Sequence, residues 1–130
     1  MLAVDTNVVV RYLVRDDPAQ TAKADKLFHS QPILLLKTVL LETEWVLRYR
    51  YKFDRQAIAA ALRALAGLPD VHLEDAPLVV QAFDWFRGGM DFADAMHLAG
   101  SGTANRFATF DRALATSARR LRATDVFLLG

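Results

Sequence analysis

The sequence predicts an α/β fold whose short, mainly parallel central sheet is covered by helices on both faces. Three observations point there. Brief apolar runs alternate along the chain with longer segments of helical character, as layered α/β proteins require. The runs, such as PILLL at 32–36, carry no polar alternation, so they suit strands buried on both faces. Asp5 and Asp111 each follow such a run and precede a helical segment. In open parallel sheets that position, beyond the carboxyl ends of the strands, is where ligands gather.

Taken in order, residues 2–5 read as a first strand and 7–14 (NVVVRYLV) as a first helix. Asp17 before Pro18 starts a second helix running to about Phe28, with proline at its first turn. Residues 32–36 form the second strand, and 38–51 (TVLLETEWVLRYRY) a helix capped by Thr38. Residues 54–66 are helical and close at Gly67 and Pro69, with DVHLE (70–74) as an edge strand. A helix over 75–87 stops at Gly88-Gly89, and another over 91–102 ends on glycines. RFATF (106–110) is a strand, 111–121 a short helix, and DVFLL (125–129) the last strand.

At 130 residues, without a linker or repeat, the chain is expected to be one domain over 1–130. Cysteine is absent, which excludes disulfides and thiolate metal sites. No basic leader followed by an apolar run opens the chain, and no apolar stretch reaches membrane-spanning length. These features predict a soluble, cytoplasmic protein with no membrane attachment. The net charge is only +1, yet 12 of 16 bases are Arg and 12 of 15 acids are Asp. Arginine favours forked recognition of phosphate and carboxylate. A hydrophobic content of 53% points to apolar surface covered by a partner, such as a second copy.

The acids carry the chemistry. Glu44 has Arg48 four residues on, the spacing of a surface ion pair. Glu42 has Val39, Trp45 and Val46 as helical neighbours, which sets it on or beside the buried stripe and in want of a cation. Asp91 and Asp94 share a helix face, either as cap and first-turn acid or as ligands. His97, three residues on, is read as structural. Asp111 is equally an N-cap or a ligand, with Thr109 two residues before it able to orient a carboxylate. Asp5, Glu42, Asp94 and Asp111 together form a set of acids with few local bases. Crowded carboxylates raise one another's pKa or demand a counter-ion. All-oxygen ligands without cysteine favour Mg²⁺ or Mn²⁺, which also engage substrate phosphate.

LAVDTNVVVRYLVRDDPAQ, VLLETEWVL, DFADAMHLA and ATFDRAL, in this order and at these separations, resemble the PIN-domain ribonucleases, specifically VapC-type toxins of toxin–antitoxin pairs. The resemblance runs from residue 2 to about 128. It implies a PIN-like α/β/α sandwich, and an Mg²⁺- or Mn²⁺-dependent endoribonuclease that hydrolyses RNA phosphodiesters. It carries the catalytic and metal-binding quartet over as Asp5, Glu42, Asp94 and Asp111, with Asp91 as a secondary ligand. Asn7 and Thr109 match supporting polar positions, and Thr6 stands between Asp5 and Asn7. Where many relatives have a further acid shortly after Asp111, this chain has Arg112-Ala113-Leu114. The resemblance also implies a cognate antitoxin protein and a homodimer.

An RNA substrate needs basic surface. Arg48, Arg50, Lys52 and Arg55 interleave with Tyr49 and Tyr51, a pattern suited to single-stranded or looped RNA and equally to a solvated helix end. Arg112 beside Asp111 is placed for a phosphate, and Arg11 and Arg15 line the groove or meet a partner. Arg119, Arg120 and Arg122 form a second basic cluster. Trp45, Trp85 and Phe86 are assigned to core or dimer packing. A phosphate-receiver domain would pair a second acid with the first-strand Asp and place a late lysine, but the last lysine here is Lys52. A dehalogenase-type phosphatase would carry Asp where Asn7 stands. The stronger alternative is a non-catalytic PIN-fold module that binds RNA or protein.

Overall fold

Leu2–Ala3 form β1, which pairs in parallel with β2 (Ile33–Leu35), and β2 pairs in parallel with β3 (Val71–Leu73). The order β1-β2-β3 makes β2 the central strand, and Ile33 and Leu35 are fully buried, which explains the unbroken apolar run. β3 is an edge strand, as expected, with His72 exposed. The computed structural model describes residues 1–130, and the chain falls into two compact units, Met1–Ala76 and Pro77–Gly130.

In the first unit the strands are linked by α1 (Thr6–Val14), α2 (Pro18–Ser30), α3 (Lys37–Tyr49) and α4 (Arg55–Ala66). α1 packs on both α2 and α3. Side-chain caps start three of these helices. Asp5 accepts from Thr6 N–H, Asp17 from Gln20 N–H and Asp54 from Ala57 N–H, each satisfying a donor that the first turn leaves open. Arg15 ends α1 in the left-handed region, and its guanidinium grips both Asp25 oxygens, at 2.8 and 2.6 Å.

Thr38 does not cap α3. The helix begins one residue earlier, its N-cap is Leu36, and no cap side chain bonds it. The Glu74 carboxylate, beyond β3, accepts from Lys37 N–H at 2.8 Å, and Lys37 Nζ pairs with Asp75. The start of α3 is thus held from 37 residues away, which local sequence does not reveal.

The burial of α3 also differs from expectation by about one residue of rotation. Its buried face carries Val39, Leu40, Thr43, Glu44 and Leu47, while Glu42, Trp45 and Tyr49 are exposed. Glu44, expected at the surface, is 3% exposed and held in a fork by Arg48, at 2.7 and 3.1 Å. Glu42, expected beside the buried stripe, faces solvent. A guanidinium four residues away lets a carboxylate sit inside, so the i,i+4 pair permits burial rather than signalling exposure.

The second unit holds nearly all of α5 (Ala76–Arg87), then α6 (Phe92–Ala99), β4 (Phe107–Thr109), α7 (Arg112–Arg120) and β5 (Val126–Leu128). β4 and β5 pair in parallel as their own two-stranded ladder, and α7 packs on both. The short parallel pairing is as expected. Leu114, Ala115 and Ala118 give α7 its buried face, opposite Arg112, Arg119 and Arg120. No helix is long and apolar enough to cross a membrane.

Candidate active site

In the second unit, packing sets the acids' positions. Phe92, the first residue of α6, is 1% exposed and meets Phe86 edge-on at 5.3 Å and Phe83 at 6.1 Å. Phe92, Ala95, Met96 and Leu98 are buried, so the opposite face of α6 carries Asp91, Asp94 and His97 at three-residue intervals. Arg120 Nη1 donates to Gly88 O at 2.8 Å, tying α7 to the turn before Asp91. Gly89 stands in that turn at φ +114°, a conformation glycine adopts freely.

Asp91 is the N-cap of α6, its Oδ2 accepting from Asp94 N–H at 3.1 Å. Asp111 is the N-cap of α7, its Oδ1 accepting from Leu114 N–H at 3.1 Å. Thr109 Oγ1 accepts from Asp111 N–H at 3.0 Å, so the supporting threonine fixes the backbone that carries the acid. In the first unit Asp5 caps α1 through Oδ1, 2.8 Å from Thr6 N–H. The cap and ligand readings are therefore compatible. Each helix terminus fixes one carboxylate oxygen and the rotamer with it, and the second oxygen is left without a protein partner.

Asp91, Asp94 and Asp111 interact. Partial burial is the main cause that holds the Asp94 carboxyl above its ordinary value, and repulsion from Asp91 and then Asp111 raises it further, while His97 opposes. The sign follows from linkage. A raised folded-state value means that Asp94 contributes stability in its protonated form, below the unfolded value, and that this is lost as pH rises through the folded one. At neutral pH a cation would relieve the repulsion. Within neither unit do three His, Asp or Glu side chains close into a complete metal-binding group. The donor set still fits a hard dication, because Mg²⁺ keeps several waters and takes only one or two carboxylates with substrate phosphate.

The remaining predicted residues fall as follows. Asp5 and Asn7, at the start of α1, and Glu42, on α3, are all exposed in the first unit. Thr6 is buried, with its hydroxyl unpaired. Arg11 lines a groove with Asn7, Gln20 and Lys23, but its guanidinium is engaged by Gln20 (2.6 Å), Asp16 (3.1 Å) and the Tyr51 hydroxyl (3.1 Å). Arg48 is bound to Glu44, while Arg50 and Arg112 are exposed. The roles of Tyr51, Glu74 and Arg120 in holding these elements escaped sequence reasoning, since each acts across 30 or more residues.

The PIN domain family model matches residues 2–124. Among solved structures, Mycobacterium tuberculosis VapC20, a sarcin–ricin loop cleaving toxin, aligns at 24% identity over 90% of this chain and 95% of that one, with a TM-score of 0.45. No curated protein matches the chain.

Proposed function

The chain belongs to the PIN-domain family and has its α/β fold, and from that premise we propose that it is a divalent-metal-dependent endoribonuclease, the toxin of a type II toxin–antitoxin pair. The observation that carries the proposal is the state of its acids: carboxylates pinned by helix termini, each with an oxygen to spare, and Asp94 crowded by Asp91 and Asp111. Asp5, Glu42, Asp94 and Asp111 are the catalytic set and would hold Mg²⁺ or Mn²⁺, with Asp91 as a secondary ligand.

A hard dication held by these residues would supply positive charge at the scissile phosphate and make the attacking water more acidic. The chain's own residues supply position. Asp5 and Asp111 present fixed carboxylate oxygens, Thr109 holds the turn that carries Asp111, and Asn7, one residue into α1 past Thr6, adds a polar group beside Asp5. Arg112 and Arg50 offer positive charge to RNA, while the Arg48 charge is matched by Glu44. Arg11 serves its neighbours first and steadies the α1–α2 connection.

The continuous match over residues 2–124 supports treating the chain as one functional domain. A homodimer, a cytoplasmic setting and an antitoxin whose basic side chain occupies the acidic site belong to the same reading. A small DNA-binding protein encoded next to this one would support it, and an isolated gene would count against it. The direct test is incubation of the purified, partner-free chain with structured RNAs. Cleavage is expected with Mg²⁺ or Mn²⁺ and not with EDTA. Cleavage that persists in EDTA would refute metal dependence, and none under any condition would leave a non-catalytic binding module.

A further inference from the structure

The acids of the second unit depend on a joint at the far end of α7. Asp111 caps the start of that helix and Arg120 is its last residue, about 13 Å away on helical rise. The Arg120 guanidinium donates to Gly88 O at 2.8 Å, and Gly88 lies three residues before Asp91, the N-cap of α6. One contact thus ties the end of α7 opposite Asp111 to the turn that delivers Asp91 and Asp94. The turn is built to receive it. A Cβ at Gly88 would stand 2.7 Å from Leu121 Cδ2, and one at Gly89 would stand 2.9 Å from Arg120 Nη2. Two successive glycines therefore let the last turn of α7 close on the backbone. The other side of the turn is equally fixed. The N–H groups of Gly88, Gly89 and Met90 donate to the Asp84, Phe86 and Trp85 carbonyls of α5, each at 3.0 Å, and Met90 is buried.

Resting on the nuclease reading above, we propose that Arg120 is a positioning residue for the metal-binding acids: its bond to Gly88 O sets the angle of α7 to the start of α6, and so the separation of Asp111 from Asp91 and Asp94. α7 packs mainly on β4 and β5, so this joint is what ties it to the turn before α6. Asp91 and Asp111 both repel Asp94, which drives the helix starts apart. A stiff helix carries a slip at one end to the other. A tilt of about 5° over that length moves Asp111 by about 1 Å, a displacement that costs a positioned site on the order of a hundredfold. The role is mechanical. By Coulomb's law alone the positive charge of Arg120 would weaken the binding of a nearby cation.

The test is calorimetric titration of Mn²⁺ into the full chain at neutral pH, with each variant's melting temperature recorded so that only folded protein is compared. Arg120→Ala should weaken Mn²⁺ binding by about 10- to 100-fold, the loss typical when a group that orients a metal ligand is removed. Charge alone would give the opposite sign. Arg120→Lys keeps a donor for Gly88 O and should recover most of the affinity. Gly89→Ala drives the guanidinium aside but leaves its charge. It should lose a similar amount, and combining it with Arg120→Ala should add little. Arg119→Ala, at a neighbouring exposed charge, serves as the comparison and should not weaken binding. Unchanged or tighter binding in Arg120→Ala, with the wild type binding Mn²⁺ and cleaving RNA, would overturn the joint and leave the nuclease standing. An equal loss in Arg119→Ala would overturn it in favour of a diffuse effect of the whole helix end. A wild type that binds no Mn²⁺ would overturn both readings.

Discussion

Asp5→Asn is expected to reduce metal-dependent RNA cleavage by at least about a hundredfold, since loss of a metal-binding carboxylate forfeits several kcal/mol of transition-state stabilisation. It is expected to leave folding intact. Asn is as good an N-cap as Asp, so its side-chain oxygen can still accept from Thr6 N–H and start α1. Asp5→Ala separates the two roles of the residue, losing about 1 kcal/mol of capping as well as activity. Rate and melting temperature measured on both variants decide the matter. Cleavage unchanged in Asp5→Asn would remove the residue from the site, whereas equal melting losses in both would show that the charge, not the cap, holds α1.

The Glu44–Arg48 pair should break asymmetrically. The Glu44 side chain is 4% exposed and that of Arg48 39%. Arg48→Leu strands a carboxylate inside the unit, and removing one partner of a buried pair costs about 3 kcal/mol or more. Glu44→Gln leaves a guanidinium that can turn to water and keeps a hydrogen-bonding carbonyl, so the loss should be about 1 kcal/mol. Denaturant unfolding of the two variants measures the difference directly. Equal losses would mean that α3 lets water reach Glu44, contrary to its burial.

Local signals were readable wherever a side chain acts on its own helix. Asp17 with Pro18 and Gly67 bound helices as the sequence predicts, because such signals act within a few residues. What failed needed partners from far along the chain. Thr38 looks like a cap until Glu74 is brought to Lys37 N–H, and Arg11 looks free until Tyr51 and Asp16 close on it. The exchange of Glu42 and Glu44 has another cause. A helix turns by about 100° per residue, so apolar neighbours alone fix its buried face only to within a position or so. Thr43 and Leu47 are fully buried and set that face. The acidic positions themselves were legible because Asp5 and Asp111 follow strands and begin helices, and Asp91 and Asp94 share one face. Sequence left open whether these were caps or ligands; the structure makes Asp5, Asp91 and Asp111 N-caps, each through one carboxylate oxygen.

If these carboxylates hold a hard divalent cation, calorimetric titration with Mn²⁺ will register it. Binding is expected at neutral pH, and Asp5→Asn and Asp94→Asn should each weaken it severely. Binding should also be lost as the pH falls toward about 4, where carboxylates take up protons, with the raised Asp94 protonating before an ordinary aspartate. Mn²⁺ affinity indifferent to both substitutions, or no binding by the wild type at neutral pH, would contradict a cation held by these carboxylates.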